Sequence, residues 1–203
     1  SETRLIKVQL PIGEKQDFKG VVDLISMQAY LDDGKSASDI PAEMKDEADT
    51  AHMELVEAAA EGEDALLEKY LESGELTDEE LMRGLKNVIL SGDYIPVFCA
   101  AGGREIGVAP LLNAMIDLMP SPVEVPAYTA QGKDGDEELT ASNTDPLAAY
   151  VWKTTADPFV GKMTYFRIFS GSVEADARVW NQSRGEEERM SGLHIQRGKD
   201  QIA

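Results

Sequence analysis

The stretch Asp93–Pro120, DYIPVFCAAGGREIGVAPLLNAMIDLMP, decides how the rest of the chain is read. DYIPVFCA has the length and apolar content of a strand buried on both faces. AGGREIG supplies a glycine-rich turn, and VAPLLNAMIDLM continues as a helix that stops at Pro120. Strand, turn and helix in that order make an α/β pattern. Cys99, the single cysteine, sits in the strand-like part and reads as a buried structural thiol, since no histidine lies near it in sequence to act as a base.

Upstream, RLIKVQLPIG and KGVVDLISMQAY read as strands separated by a polar turn and followed by a DDG turn. A helix then opens near Pro41, with apolar residues at Met44, Ala48, Ala51, Leu55, Ala58 and Ala59, and Gly62 ends it. EDALLEKYLES is a second helix, with Gly74 as a left-handed cap. The third begins with a capping box, Thr77 with Glu80, and buries Leu81, Leu85, Val88 and Ile89.

Downstream, residues 121–144 are rich in Pro, Gly, Asp and Ser and read as a linker, with a small hairpin at Asp134–Gly135. LAAYVWKTTA, KMTYFRIFSG, ARVWNQS and ERMSGLHIQ then read as short strands of a barrel or sandwich, too few to close a barrel. In the second of these, alternation assigns Thr164, Phe166 and Ile168 to the core and sends Met163, Tyr165, Arg167 and Phe169 outward. The expected organisation is residues 1–120, the linker 121–144, and a β module 145–203.

Charge divides the chain in the same place. Acid outnumbers base 38 to 19, which excludes a protein that coats nucleic acid over its whole surface. Pro41–Asp93 carries 16 acidic residues against 4 basic ones, whereas the part from Ser121 carries 13 against 9. Glu43, Glu47, Glu54, Glu57 and Glu61 form a stripe opposite the apolar helix face. A solvated face explains such a stripe, and so does a docking surface for a basic partner. The sequence contains no GxxxxGK[ST] loop, no HExxH, no nucleophile elbow and no metal-ligand spacing, and His52 and His194 read as packed or solvated. No catalytic residue and no metal ligand is therefore assigned. There is no secretory signal and no run fit to cross a membrane, and a cytoplasmic setting is expected. The chain begins without Met inside a strand-like stretch, so a segment of a longer protein is expected.

Taken in order, QLPIG, FKGVVDLISMQAY, LLEKYLESGELTDEEL, IPVFCAAGGREIGV, AMIDLMPSPVEVPA and KTTADPFVGKMTYFRIFSG resemble the bacterial elongation factor G family of ribosomal translocases, which are translational GTPases. RVWNQSRGEEERMSGLHIQRGKDQI is more like an elongation-factor-G-like paralog. The resemblance implies a fold of three parts: an α/β (α+β) G′ insert, the last strand and helix of a P-loop GTPase domain, and a partial antiparallel β-barrel, the start of domain II. It implies GTP and Mg²⁺ for the full-length protein, with neither expected on this segment, which would be inactive alone. The family's base-binding turn, usually Ser-Ala, falls on Ala101 and Gly102; both keep the backbone amide that meets the guanine carbonyl, so the departure should weaken positioning more than abolish recognition, and a structural turn with no ligand role is an equal reading. The ribosome would be the partner, its stalk protein meeting Glu47, Glu54, Glu57 and Glu61 and its small-subunit RNA meeting domain II through Lys162 and Arg167. Stacking of Arg167 against a neighbouring domain is an equal reading. An acidic adaptor that only docks proteins, or another ribosomal GTPase of the release or ribosome-protection type, is the alternative.

Overall fold

The computed structural model describes residues 3–132, 135–157, 161–198 and 200–202. The chain is of α+β type and divides into two units, Ser1–Ser121 and Pro122–Ala203.

RLIKVQLPIG is two strands rather than one: β1 (Arg4–Lys7) pairs in parallel with β6 (Tyr94–Val97), while β2 (Gln9–Ile12) starts an antiparallel sheet. Val8 makes the change of partner. Its amide donates to the Val97 carbonyl at 3.0 Å, and its carbonyl accepts from the Leu24 amide at 2.9 Å. KGVVDLISMQAY likewise folds back on itself as β3 (Gly20–Asp23) and β4 (Gln28–Leu31), followed by the short β5 (Ala37–Ser38), giving the order β2-β3-β4-β5. Asp23 Oδ1 accepts from the Ile25 and Ser26 amides and the Ser26 hydroxyl, which builds the turn; Met27 completes it at φ 51°.

Three helices follow, and the buried faces of α1 and α3 share one core with this sheet. α1 (Lys45–Ala60) follows a short 3-10 turn after Pro41 and buries Ala48, Ala51, Leu55, Ala58 and Ala59, the face its period indicates. α2 (Asp64–Ser73) ends at Gly74, which is left-handed at φ 74°. α3 (Asp78–Leu90) buries Leu81, Gly84, Leu85 and Val88, with Ile89 packed against the core. Leu24, Leu55 and Leu85 are fully buried, each contributing about 1.5–3 kcal/mol by leaving water.

The capping box of α3 forms as expected: Thr77 Oγ1 accepts from the Glu80 amide, and Glu80 Oε2 accepts from the Thr77 amide at 2.7 Å. Lys69 of α2 donates to the same carboxylate at 2.6 Å. The Lys69 ammonium, and then the Thr77 amide, hold the Glu80 carboxyl down to about 2. A depressed folded pKa stabilises the native state above the unfolded value near 4.3, and that contribution disappears as pH falls through about 2. Glu80→Gln is therefore expected to flatten the acid limb of a denaturant-midpoint profile between about pH 4.5 and 2. An unchanged limb would show that Glu80 carries none of it.

α4 (Val108–Leu118) closes the first unit, burying Pro110, Ala114 and Leu118. The strand before it differs from the sequence expectation of burial on both faces. β6 is four residues long and has β1 as its one strand partner among the described residues, and Ile95 is 52% exposed.

The second unit is a set of antiparallel pairs with no closed barrel among the described residues. Residues 122–144 belong to it and carry the hairpin β7 (Tyr128–Gln131) with β8 (Asp136–Leu139); Asp134 itself lies outside the described residues. β9 (Ala148–Asp157) pairs with β10 (Gly161–Ser170), β11 (Arg178–Asn181) with β12 (Glu186–Arg189), and β13 (Ile195–Arg197) with β14 (Asp200–Ile202). ERMSGLHIQ is thus the end of one strand and the start of another. The inward and outward sets expected on β10 do not hold. Register shifts at Tyr165/Phe166 and Ile168/Ser170 interrupt the alternation, leaving Thr164 and Ile168 exposed and Met163, Tyr165, Phe166 and Phe169 half-buried.

Candidate functional site

Parallel strands present ligand-binding loops at their carboxyl ends. At that end of β6 the chain runs through Phe98, Cys99 and Ala100 into a turn at Ala101, a short 3-10 segment Gly102–Arg104, and then α4. The Ala101 amide donates to the Ile106 carbonyl at 2.8 Å, and the Arg104 amide to the Ala101 carbonyl at 2.9 Å. Of the two positions singled out in the sequence, Ala101 has therefore spent its donor inside the turn. The Gly102 amide, like the Gly103 amide after it, has no acceptor among the described residues, and both glycines have open space where a Cβ would be. A free N–H in such a turn can recognise a carbonyl.

The turn is held from both ends by residues 9–16. Gln9 Oε1 accepts from the Cys99 amide at 3.2 Å, and the Gln9 carbonyl accepts from Cys99 Sγ at 3.8 Å. Arg104 donates to the carbonyls of Gln16 (2.9 Å) and Lys15 (3.1 Å). Burial pushes the Cys99 thiol up, away from the reactive thiolate. Gln9 and Arg104 escaped the sequence reading because a glutamine in a strand and an arginine in a turn carry no periodic signal.

A second cluster fixes the parallel pair from the opposite end of β6. Arg4 is ion-paired to Glu61 through its two terminal guanidinium nitrogens and lies 4.1 Å from the centre of the Tyr94 ring, and Tyr94 Oη donates to Glu61 Oε1 at 3.1 Å. The Arg4 guanidinium holds the Glu61 carboxyl below the usual carboxylate range. Of the acidic stripe, then, Glu61 is engaged within the fold. Glu47, Glu54 and Glu57 stand exposed on α1, with Glu47 and Glu54 beside Lys7, Asp46 and Thr50 along a shallow groove. His52 is half-buried and its Nδ1 lies 2.7 Å from the Leu24 carbonyl; His194 is exposed.

In the second unit Lys162 and Arg167 are both exposed on β10, five positions apart, with the register shift at Tyr165/Phe166 between them. The Arg167 guanidinium lies 5.6 Å from the centre of the Phe169 ring, which meets Tyr128 edge-on at 4.8 Å. These three line a groove of about 490 Å³ with Val123, Leu139 and Asn143. Pro158, Phe159 and Val160 of the DPFVGK stretch lie outside the described residues. No group of three or more His, Cys, Asp or Glu side chains suited to a metal gathers among the described residues, and no helix is long and apolar enough to cross a membrane.

No family model matches the chain. Its structure is similar to the crystal structure of a protein from Thermus thermophilus, with a TM-score of 0.76 and 29% sequence identity. The match covers 98% of this chain and 28% of that one, so the chain spans little more than a quarter of that protein's length.

Proposed function

We propose that this chain is a segment of a ribosomal translational GTPase of the elongation factor G type, whose whole protein promotes translocation with GTP hydrolysis. In this reading β6, the Ala101–Gly102 turn and α4 are the closing elements of the nucleotide-binding domain. The sheet and helices before them are largely the G′ insert, and Pro122 onward is the beginning of domain II.

One observation carries the reading: a two-stranded parallel sheet and the helix after it leave apolar side chains uncovered. Leu5 is 71% exposed, Ile95 52%, Leu112 54% and Ile116 77%. Parallel sheets occur with both faces covered. A two-stranded remnant with bare leucine and isoleucine fits the margin of a larger parallel sheet. The free Gly102 amide lies at the carboxyl end of that margin, where a guanine O6 would be met. The open second unit, with Trp152 59% and Trp180 61% exposed, fits a module continued by further strands better than it fits a free-standing adaptor.

When bound in the whole protein, GTP with Mg²⁺ supplies the phosphoryl chemistry. This chain contributes one amide to the base and nothing to the phosphates or the metal, in keeping with the missing GxxxxGK[ST] sequence. The exposed carboxylates of α1 would meet a basic stalk protein, and Arg167 is placed either for RNA or for the aromatic contact it already makes.

Two measurements test this. A fluorescent GTP analogue titrated against this chain is expected to show no binding in the submicromolar range; tight binding would mean that a phosphate site had been overlooked. The coding sequence upstream of Arg4 is expected to contain GxxxxGK[ST], and the whole gene product to hydrolyse GTP faster with ribosomes present. Failure of both sinks the proposal.

A further inference from the structure

Gln9 is 1% exposed, and its Nε2 has no hydrogen-bond partner among the described residues. A buried donor without an acceptor is rare and needs a reason, since a methionine or leucine would fill the same space without that penalty. The other half of the carboxamide supplies the reason: Oε1 accepts from the Cys99 amide, three residues before the free Gly102 N–H. The main chain of the same residue accepts from the Cys99 thiol. From the far side Arg104 ties the turn to Lys15 and Gln16, so both anchors come from β2 and the connection that follows it.

We infer that Gln9 is a positioning residue for guanine recognition, its carboxamide oxygen fixing the backbone from Cys99 onward so that the Gly102 amide is aimed at the base carbonyl. The inference rests on the reading proposed above and adds to it a residue outside the turn that contributes to base selectivity. Gln9 touches no nucleotide; it acts through Cys99. A misplaced amide weakens recognition of O6, an acceptor that adenine lacks, and leaves phosphate contacts as they were. The signature is thus a ratio, guanine over adenine nucleotide, rather than a loss of all binding.

The test compares GDP and ADP affinities of the full-length gene product with its Gln9→Met and Gln9→Glu variants. Gln9→Met removes the acceptor at nearly constant volume and is expected to lower the GDP preference at least tenfold with ADP affinity unchanged. Gln9→Glu keeps an acceptor and is expected to retain most of the preference. Should Gln9→Met fold too poorly to titrate, Gln9→Glu decides, and a collapsed preference there overturns the inference. A natural protein that binds GDP, with a Gln9→Met variant of equal preference, overturns this inference alone; a natural protein that binds neither nucleotide overturns the proposed function and this with it.

Discussion

Gly84→Val is expected to cost the first unit about 3 kcal/mol, and Gly84→Ala about 2 kcal/mol, both read as a lower denaturant midpoint. Gly84 lies where α3 crosses α1. A Cβ there would sit 2.2 Å from the Ala59 carbonyl oxygen and 2.8 Å from its carbon, with Leu66 Cδ1 at 3.1 Å. The crossing is close from both sides, because a Cβ on Gly62 would meet the Gly84 carbonyl oxygen at 2.5 Å. Backbone cannot rotate aside as a side chain can, so the helices must separate. Overpacking of this kind costs about 3 kcal/mol at the upper end of its usual range. Alanine for glycine inside a helix returns about 1 kcal/mol, which sets the net figure for Gly84→Ala. The sign is therefore informative. If helix propensity governed the site, Gly84→Ala would be more stable than the natural chain, and that result would refute the close crossing. Separation also moves Leu55 and Leu85, both fully buried, so the loss extends beyond the contact itself.

Nothing in the sequence period distinguishes Gly84 from a tolerated glycine, and the contrast with the rest of α3 shows what was legible. Thr77, Glu80 and Gly74 act through contacts a few residues apart, so their roles could be read locally and the structure bears them out. The apolar faces of α1 and α3 were legible for the same reason. Val8 was not, because it owes its place to hydrogen bonds with Leu24 and Val97, which are remote from it and from each other in sequence. The turn at Asp23 was hidden by its own apolar residues: Leu24 is fully buried, and Ile25 and Met27 pack against the core, so the turn looks like strand. Asp23 with Ser26 three residues later was the available signal. At the candidate site, Ala101 and Gly102 could be placed by their position between strand and helix. Which of the two amides is free depends on the Ile106 carbonyl, and that required the fold.

Gly107→Ala carries the second large effect, and it bears on the same turn. Gly107 precedes α4 at φ 73°, a conformation that costs an alanine roughly 1 kcal/mol or more. Its Cβ would also lie 2.5 Å from the Cys99 carbonyl oxygen and 3.3 Å from the Ala100 Cα. Together these should weaken the local structure by about 2–3 kcal/mol, displacing the segment that Gln9 and Arg104 hold. The Cys99 thiol, half-buried and kept protonated by that burial, reports the change. If alkylation proceeds through local opening, a loss of about 2 kcal/mol should speed it roughly thirtyfold. Gly102→Ala is the control, since nothing lies within 4 Å of a Cβ there and the backbone amide remains. It should leave both the alkylation rate and the stability near those of the natural chain. Equal rates in the two variants would mean that the turn is not packed against Gly107, and the free Gly102 amide would then lack the fixed position that recognition of a base carbonyl demands.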